Sequence, residues 1–355
     1  MPASRFRAAD AIVLVLAFAV AAVLSYVLTF PQRRLALRFG FVDLPDDRRK
    51  HEGPRPRLGG ASMLLAFVAA LLATRQPFDG KLIAIIAAAA LLVVAGAFDD
   101  KRQPTQHDLG AAAQLAVQLI AAGTAVFAGV TILDVRDPTA GGPFGGVIAL
   151  PLWAGALLSL FWIAGMVNTV NFLDGLDGLA GGVVAIAAAI LAFVSLKLGQ
   201  RDVALLCLAL AGAAAGFLPH NLYPARIFMG TSGAWFLGFV LAALAIIGGA
   251  KLATALLVVG VPVLDVALLI LLRVLARQPI WQGDRRHLHH RLLDTGLGQR
   301  GTVLLYYSLS AAFGLYALAF TNNRSVGLGL KIYGLAILMG VMAAILVFLR
   351  RRQRA

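Results

Sequence analysis

The chain has 355 residues, 60% of them hydrophobic and only 14% charged, with a net charge of +14 and a mean hydropathy of +0.85. Soluble domains carry roughly 45–50% apolar and about 25% charged residues, so a soluble enzyme of this size is excluded, as are disordered and collagen-like chains. An all-α, polytopic integral membrane protein remains.

Apolar runs fall at about 11–30, 58–74, 82–98, 109–130, 147–167, 178–196, 203–219, 234–249, 252–272, 302–320 and 329–349. Their lengths predict about eleven transmembrane helices, leaving little chain for a separate soluble domain, so residues 1–355 read as one transmembrane unit. The first run follows Arg5 and Arg7. It is longer than a signal-peptide core and lacks a small-residue cleavage site, so it reads as a span. The single cysteine, Cys207, excludes an intrachain disulfide framework and a Cys-based zinc site.

With eleven spans, 21 of the 31 Lys and Arg fall on one side. That side is expected to be cytoplasmic, with the N-terminus outside and the C-terminus inside. Most acidic residues and all six histidines fall there too, whereas Asp265 lies well within an apolar run. The basic tail 350–355 reads as a positive-inside stop. Chemistry-capable side chains gathered at one face suit an enzyme at the membrane surface better than a transporter, which needs ionisable residues or broken helices at mid-depth.

Five segments carry polar chemistry. The first runs from Asp43 to Gly60 and contains Arg49, Lys50 and His51, with Pro45, Pro54 and Pro56 keeping it extended. It reads either as a positive-inside anchor or as a phosphate-binding loop. The second is Asp99-Asp100 followed by Lys101 and Arg102. Paired carboxylates hold Mg²⁺, supply a base, or merely end a helix. In the third, Asn168, Asn171 and Asp174 recur every three residues ahead of Asp177, which places the first three on one helical face. A polar cluster at a membrane boundary is costly unless it binds something polar; the plain alternative is an Asx-rich turn.

In the fourth segment, Phe228 can stack on a base and Arg226 can meet a phosphate, though the stretch also reads as an ordinary loop. The fifth holds Asp284, Arg286, His287, His289 and His290. Adjacent His289 and His290 point apart on a helix, and the nearby arginines favour an anion over a metal. Asp284 is a candidate cap for a helix starting here.

Together, over about residues 40–295, these segments resemble the polyprenyl-phosphate N-acetylhexosamine-1-phosphate transferases of glycosyltransferase family 4. These include teichoic-acid-initiating enzymes and are related to the phospho-muramyl-pentapeptide translocases. The resemblance rests on Asp43, Pro45, Arg49, Lys50, His51, Pro54, Pro56, Gly59 and Gly60; on Asp99 and Asp100; on Asn168, Asn171, Asp174, Gly175, Asp177 and Gly178; and on His287, His289 and His290. The last group is similar to the N-acetylglucosamine-type subgroup.

The resemblance implies transfer of N-acetylhexosamine-1-phosphate, GlcNAc-1-phosphate first, from a UDP-sugar to undecaprenyl phosphate. UMP is released and a cell-surface polysaccharide is started. It implies Mg²⁺, with Mn²⁺ as substitute, eleven spans in a bacterial inner membrane, lipid contacts, a homodimer as candidate assembly, and no nucleic acid. Asp99, Asp100, Asp177 and His287 are the implied catalytic residues. Arg49, Lys50, His51, Asn168, Asp174, Arg226, Phe228, Arg286, His289 and His290 are implied in substrate binding, with Phe228 on uracil.

Asn171, Asp174 and position 231 are the implied metal ligands. There the chain departs from the family: Thr231 stands where a metal-binding aspartate is usual, and a neutral hydroxyl is a poor ligand for a hard cation. A catalytically weakened or inactive lipid- or nucleotide-binding relative is therefore the alternative. A transporter is the third reading.

Overall fold

The computed structural model describes residues 8–43, 53–102, 109–136, 147–249, 252–278, 287–321 and 327–352. Long apolar runs form helices because a helix satisfies its own backbone groups without water. The helices are α1 (Ala8–Phe39), α2 (Gly60–Ala73), α3 (Gly80–Arg102), α4 (Ala111–Phe127), α5 (Leu152–Leu173), α6 (Leu179–Lys197), α7 (Arg201–Asn221) and α8 (Gly230–Ile247), followed by α9 (Leu252–Val258), α10 (Gly260–Leu275), α11 (Leu288–Leu292), α12 (Gly298–Ala319) and α13 (Gly327–Arg352). A π-helical turn, Leu293–Leu297, joins α11 to α12.

Among the described residues, eight helices are long and apolar enough to cross a membrane, or nine if α9 and α10 form one bent span. Helices α2 and α4 are shorter apolar helices.

Each expected apolar run lands on helix, with two corrections. The run at 147–167 opens on a strand: β3 (Asp134–Arg136) and β4 (Val147–Ala149) form an antiparallel hairpin, and α5 starts only after Pro151. The run at 252–272 is broken, with α9 and α10 meeting at 84°. Gly260 weakens the helix there, and Pro262 lacks the amide that Val258 would otherwise receive.

α8 is the axis of the bundle, buried from Gly230 to Ile246, as a helix apolar on every side should be. Exposed Ile12, Val23, Trp153, Phe161 and Leu275 lie on the outer helices α1, α5 and α10. Small residues permit close approach, as membrane helices require. Gly212 and Gly216 of α7 face the backbone of Phe18 and Ala22 of α1. Gly96 of α3 faces Ser232 of α8.

The C-terminal ends of α3, α5 and α7 meet the N-terminal ends of α2, α6 and α8. Between them lies a short antiparallel pair, β1 (Val42–Asp43) with β2 (Arg55–Pro56). The proline-rich stretch is extended there, as its prolines dictate.

A Cβ on Gly96 would sit 2.6 Å from the Ser232 backbone, which has no rotamer to give way. Gly96→Val should therefore destabilise the protein by about 1–3 kcal/mol. Gly123→Ala on α4, where a Cβ meets nothing within 4 Å, should be neutral or stabilising. Thermal unfolding of both in mild detergent checks this.

Candidate active site

Asp99 and Asp100 end α3 and are almost fully buried. Burying two adjacent carboxylates is costly unless each oxygen is hydrogen-bonded. Asp100 Oδ1 accepts from Arg57 Nε at 2.9 Å and the Thr231 amide at 2.8 Å, and its Oδ2 accepts from the Ser232 amide at 3.1 Å. Asp99 Oδ1 accepts from the Leu109 amide at 2.8 Å, and its Oδ2 accepts from the Thr231 hydroxyl at 2.8 Å. The carboxylates thus sit on the positive N-terminal end of α8, where unpaired amides and the helix dipole favour anions. Gly230 takes φ +72° to start this turn, and a Cβ there would meet the Asp100 carboxylate.

Asp174 completes the cluster from the end of α5, accepting the Gly230 amide and lying within electrostatic reach of Arg57, Asp100 and Asp177. Desolvation by burial is the main cause that raises its pKa to about 7; Asp100 and Asp177 add to the rise, while Arg57 and the Gly230 amide oppose it.

Arg57 is the residue the motif reading left out. It bonds Asp100 and pairs with Asp43 at 3.5 Å, and it sits across a parallel bridge from Phe228. The neighbouring backbones run together: Phe228 N donates to Pro56 O, Gly59 N to Met229 O, and Arg55 Nη1 to Ala225 O. This ladder sets the half-buried Phe228 beside the carboxylates, while Arg226 stays exposed.

Asp177 Oδ2 accepts the Ala225 amide at 2.9 Å, so it anchors the same loop. Asn221 bridges from α7, accepting from the Gly178 amide and donating to Ile227 O. Gly178 adopts φ +81° at the start of α6, a conformation glycine tolerates best. Asn168 donates to Gln118 Oε1 of α4 at 2.6 Å and so ties α5 to α4.

The histidines approach from the other side. Phe172, His287, His289 and His290 form a ladder of rings spaced 5.6, 5.5 and 4.3 Å apart. His289 lies against Gly175, where a Cβ would come 2.5 Å from its Nε2. His287 Nδ1 is hydrogen-bonded to Asp265 Oδ2 at 2.9 Å, and the Leu288 amide donates to Asp265 Oδ1 at 2.9 Å.

Asp284, the expected cap, lies outside the described residues, and Asp265 receives the first amide of α11. The break at Gly260 and the buried Asp265 are the features a transporter would show, yet Asp265 is committed to the histidine segment. Arg49, Lys50, His51 and Arg286 also lie outside the described residues.

Among the described residues, no group of three or more His, Cys, Asp or Glu is placed to hold a metal alone. Mg²⁺ needs only one or two carboxylates when substrate phosphates supply further oxygens. Asn171 and Asp174, one turn apart and both partly exposed, fit such a shared cation. The Thr231 hydroxyl donates to Asp99 Oδ2; its remaining lone pairs are a weaker donor for a hard cation than a carboxylate would be.

The glycosyl transferase family 4 pattern matches residues 82–249. A Bacillus subtilis protein named "Probable undecaprenyl-phosphate N-acetylglucosaminyl 1-phosphate transferase" is 33% identical, covering 94% of this chain and 92% of its own. A decaprenyl-phosphate N-acetylglucosaminephosphotransferase of Mycobacterium tuberculosis is 35% identical, covering 93% and 88%. An undecaprenyl-phosphate alpha-N-acetylglucosaminyl 1-phosphate transferase of Yersinia pestis is 28% identical over 81% and 79%. The chain belongs to the polyprenyl-phosphate N-acetylhexosamine-1-phosphate transferases of glycosyl transferase family 4.

Removing Arg57 leaves Asp100 buried without its cation. Arg57→Met should destabilise the protein by about 3–5 kcal/mol. Arg57→Lys should recover only part, since one ammonium does not reproduce the guanidinium fork between Asp43 and Asp100. Denaturant unfolding of both variants measures the difference.

Proposed function

We propose that this protein transfers GlcNAc-1-phosphate from UDP-GlcNAc to undecaprenyl phosphate at the cytoplasmic face of a bacterial inner membrane, releasing UMP. The reading rests on one juxtaposition: Asp174, open beside Asn171, stands between the α8–Arg57 charge cluster and the histidine ladder. Phosphoryl transfer asks a protein for positioning and charge neutralisation, and this end of the bundle offers both.

A lipid-phosphate oxygen attacks the sugar-bearing phosphorus, forming one P–O bond while the diphosphate P–O bond to UMP breaks. The oxygens of Asp99 and Asp100 are buried and hydrogen-bonded, which supports reading the attack as direct rather than through either carboxylate. Their role is to hold α3 on α8 and keep Arg57 in place. Phe228 stacks on uracil, Arg226 meets phosphate, and His287 and His289 hold the diphosphate. Asn171 and Asp174 are the residues that would hold Mg²⁺, or Mn²⁺ in its place, which supplies charge neutralisation for the phosphates when bound.

The deciding experiment is UMP release in vesicles containing undecaprenyl phosphate and Mg²⁺, with UDP-GlcNAc and UDP-GalNAc as donors. Turnover with UDP-GlcNAc is expected from the native chain. Release only from Thr231→Asp would support the weakened-relative reading, which the absent carboxylate favours. No release by either chain with either sugar overturns the assignment.

The raised pKa of Asp174 has a binding consequence. Below about pH 7 its carboxyl is protonated and must lose that proton to take a cation. Mn²⁺ affinity, read by electron paramagnetic resonance, should rise with pH up to about 7 and level off above it. Asp174→Asn should abolish the slope.

A further inference from the structure

Asp265 is buried in α10, in a stretch of the sequence whose neighbours Val261, Val263, Leu264, Val266 and Leu269 are apolar. An isolated carboxylate there would be expensive. Both of its oxygens are used, Oδ1 by the Leu288 amide and Oδ2 by His287 Nδ1. The first bond alone would suffice to fasten α11. The second does something more specific. An ionised carboxylate only accepts, so in this pairing His287 Nδ1 carries the proton, and the opposite nitrogen, Nε2, has no hydrogen-bond partner among the described residues.

The ring is held on two further sides. Phe172 of α5 stacks on one face at 28°, and His289 stacks at 13°. His289 in turn lies against Gly175, next to Asp174. The 84° bend at Gly260 carries Asp265 to this position. Other ionisable groups near the pair, among the described residues, include His290 of α11 and Tyr306 of α12, the latter within electrostatic reach of Asp265.

We propose that Asp265 is a positioning residue that fixes the tautomer and orientation of His287, so that Nε2 is presented to a phosphate oxygen of the substrate diphosphate. The proposal rests on the functional reading given for the histidine segment. Asp265 touches no substrate; it acts through the imidazole.

The test uses full-length protein, ¹⁵N-labelled at histidine, in lipid vesicles, with inorganic pyrophosphate as probe. Solid-state NMR should show His287 protonated at Nδ1, and pyrophosphate should shift its Nε2 resonance. In Asp265→Ala the Nδ1 signature and the pyrophosphate shift should both be lost. In the UMP-release assay kcat should fall about tenfold or more, with a smaller change in KM for undecaprenyl phosphate. Asp265→Glu should recover part of the rate.

A His287 ring unprotonated at Nδ1 in the native chain, or a pyrophosphate shift that survives Asp265→Ala, overturns the proposal. The native tautomer decides this even if the alanine variant fails to fold, and Asp265→Asn supplies a near-isosteric second variant. Full activity of His287→Gln would instead sink the use of the histidine segment in transfer, without touching the tautomer result.

Discussion

The site depends on how two adjacent carboxylates are kept inside a membrane protein. Asp99 and Asp100 are nearly free of solvent contact, and an unpaired charge in that setting costs several kcal/mol. The cost is met by the first amides of α8, by Arg57 and by the Thr231 hydroxyl. This requirement fixes the ends of three elements relative to one another. α3 must deliver its last turn to the first turn of α8, and the strand carrying Arg57 must lie across both. Phe228 and Asp174 then fall beside the same cluster, because one is paired with Arg57 in backbone register and the other takes the Gly230 amide.

Much of this end of the bundle was legible in the sequence. The three-residue spacing of Asn168, Asn171 and Asp174 places them along the last turns of α5, and Asp99-Asp100 closes α3 where the apolar run stops. Local periodicity carries that information. It carries none about partners distant in sequence, so the destinations of Arg57 and Asp265 were not legible. Arg57 looked like one more cation in a basic loop; its meaning comes from Asp43 and Asp100, one contributed by the strand β1 and the other by α3. Asp265 was visible as an acid out of place in an apolar run, but nothing in its own stretch of sequence named the segment it answers to. The strand at Val147–Ala149 misled for the opposite reason: three residues of a hairpin are too short to show alternation, and they adjoin a long apolar helix.

The broken helix gains its sense from the same constraint. A continuous span through 252–275 would carry Asp265 along the bundle. The break at Gly260 turns α10 instead, and the histidine segment is fastened to it through both oxygens of Asp265. This end of the bundle is thus assembled from two sides, one organised by the amides of α8 and the other by a carboxylate–imidazole pair, with Asp174 and Gly175 where they meet.

Position 231 shows what a change of one charge does to such an assembly. A carboxylate in place of the Thr231 hydroxyl would face Asp99 across a hydrogen-bond distance of 2.8 Å, with Asp100 alongside. Three carboxylates so close repel strongly at low dielectric, and only a proton or a cation would let them coexist. With threonine the contact is reversed: the hydroxyl donates to Asp99, and Arg57 faces Asp100 as a counter-charge. Protein hydrogen bonds thus occupy the oxygens of both carboxylates. Asn171 and Asp174 stand partly exposed on the open side, so on the proposed reading a cation held there is separable from the packing of α3 on α8.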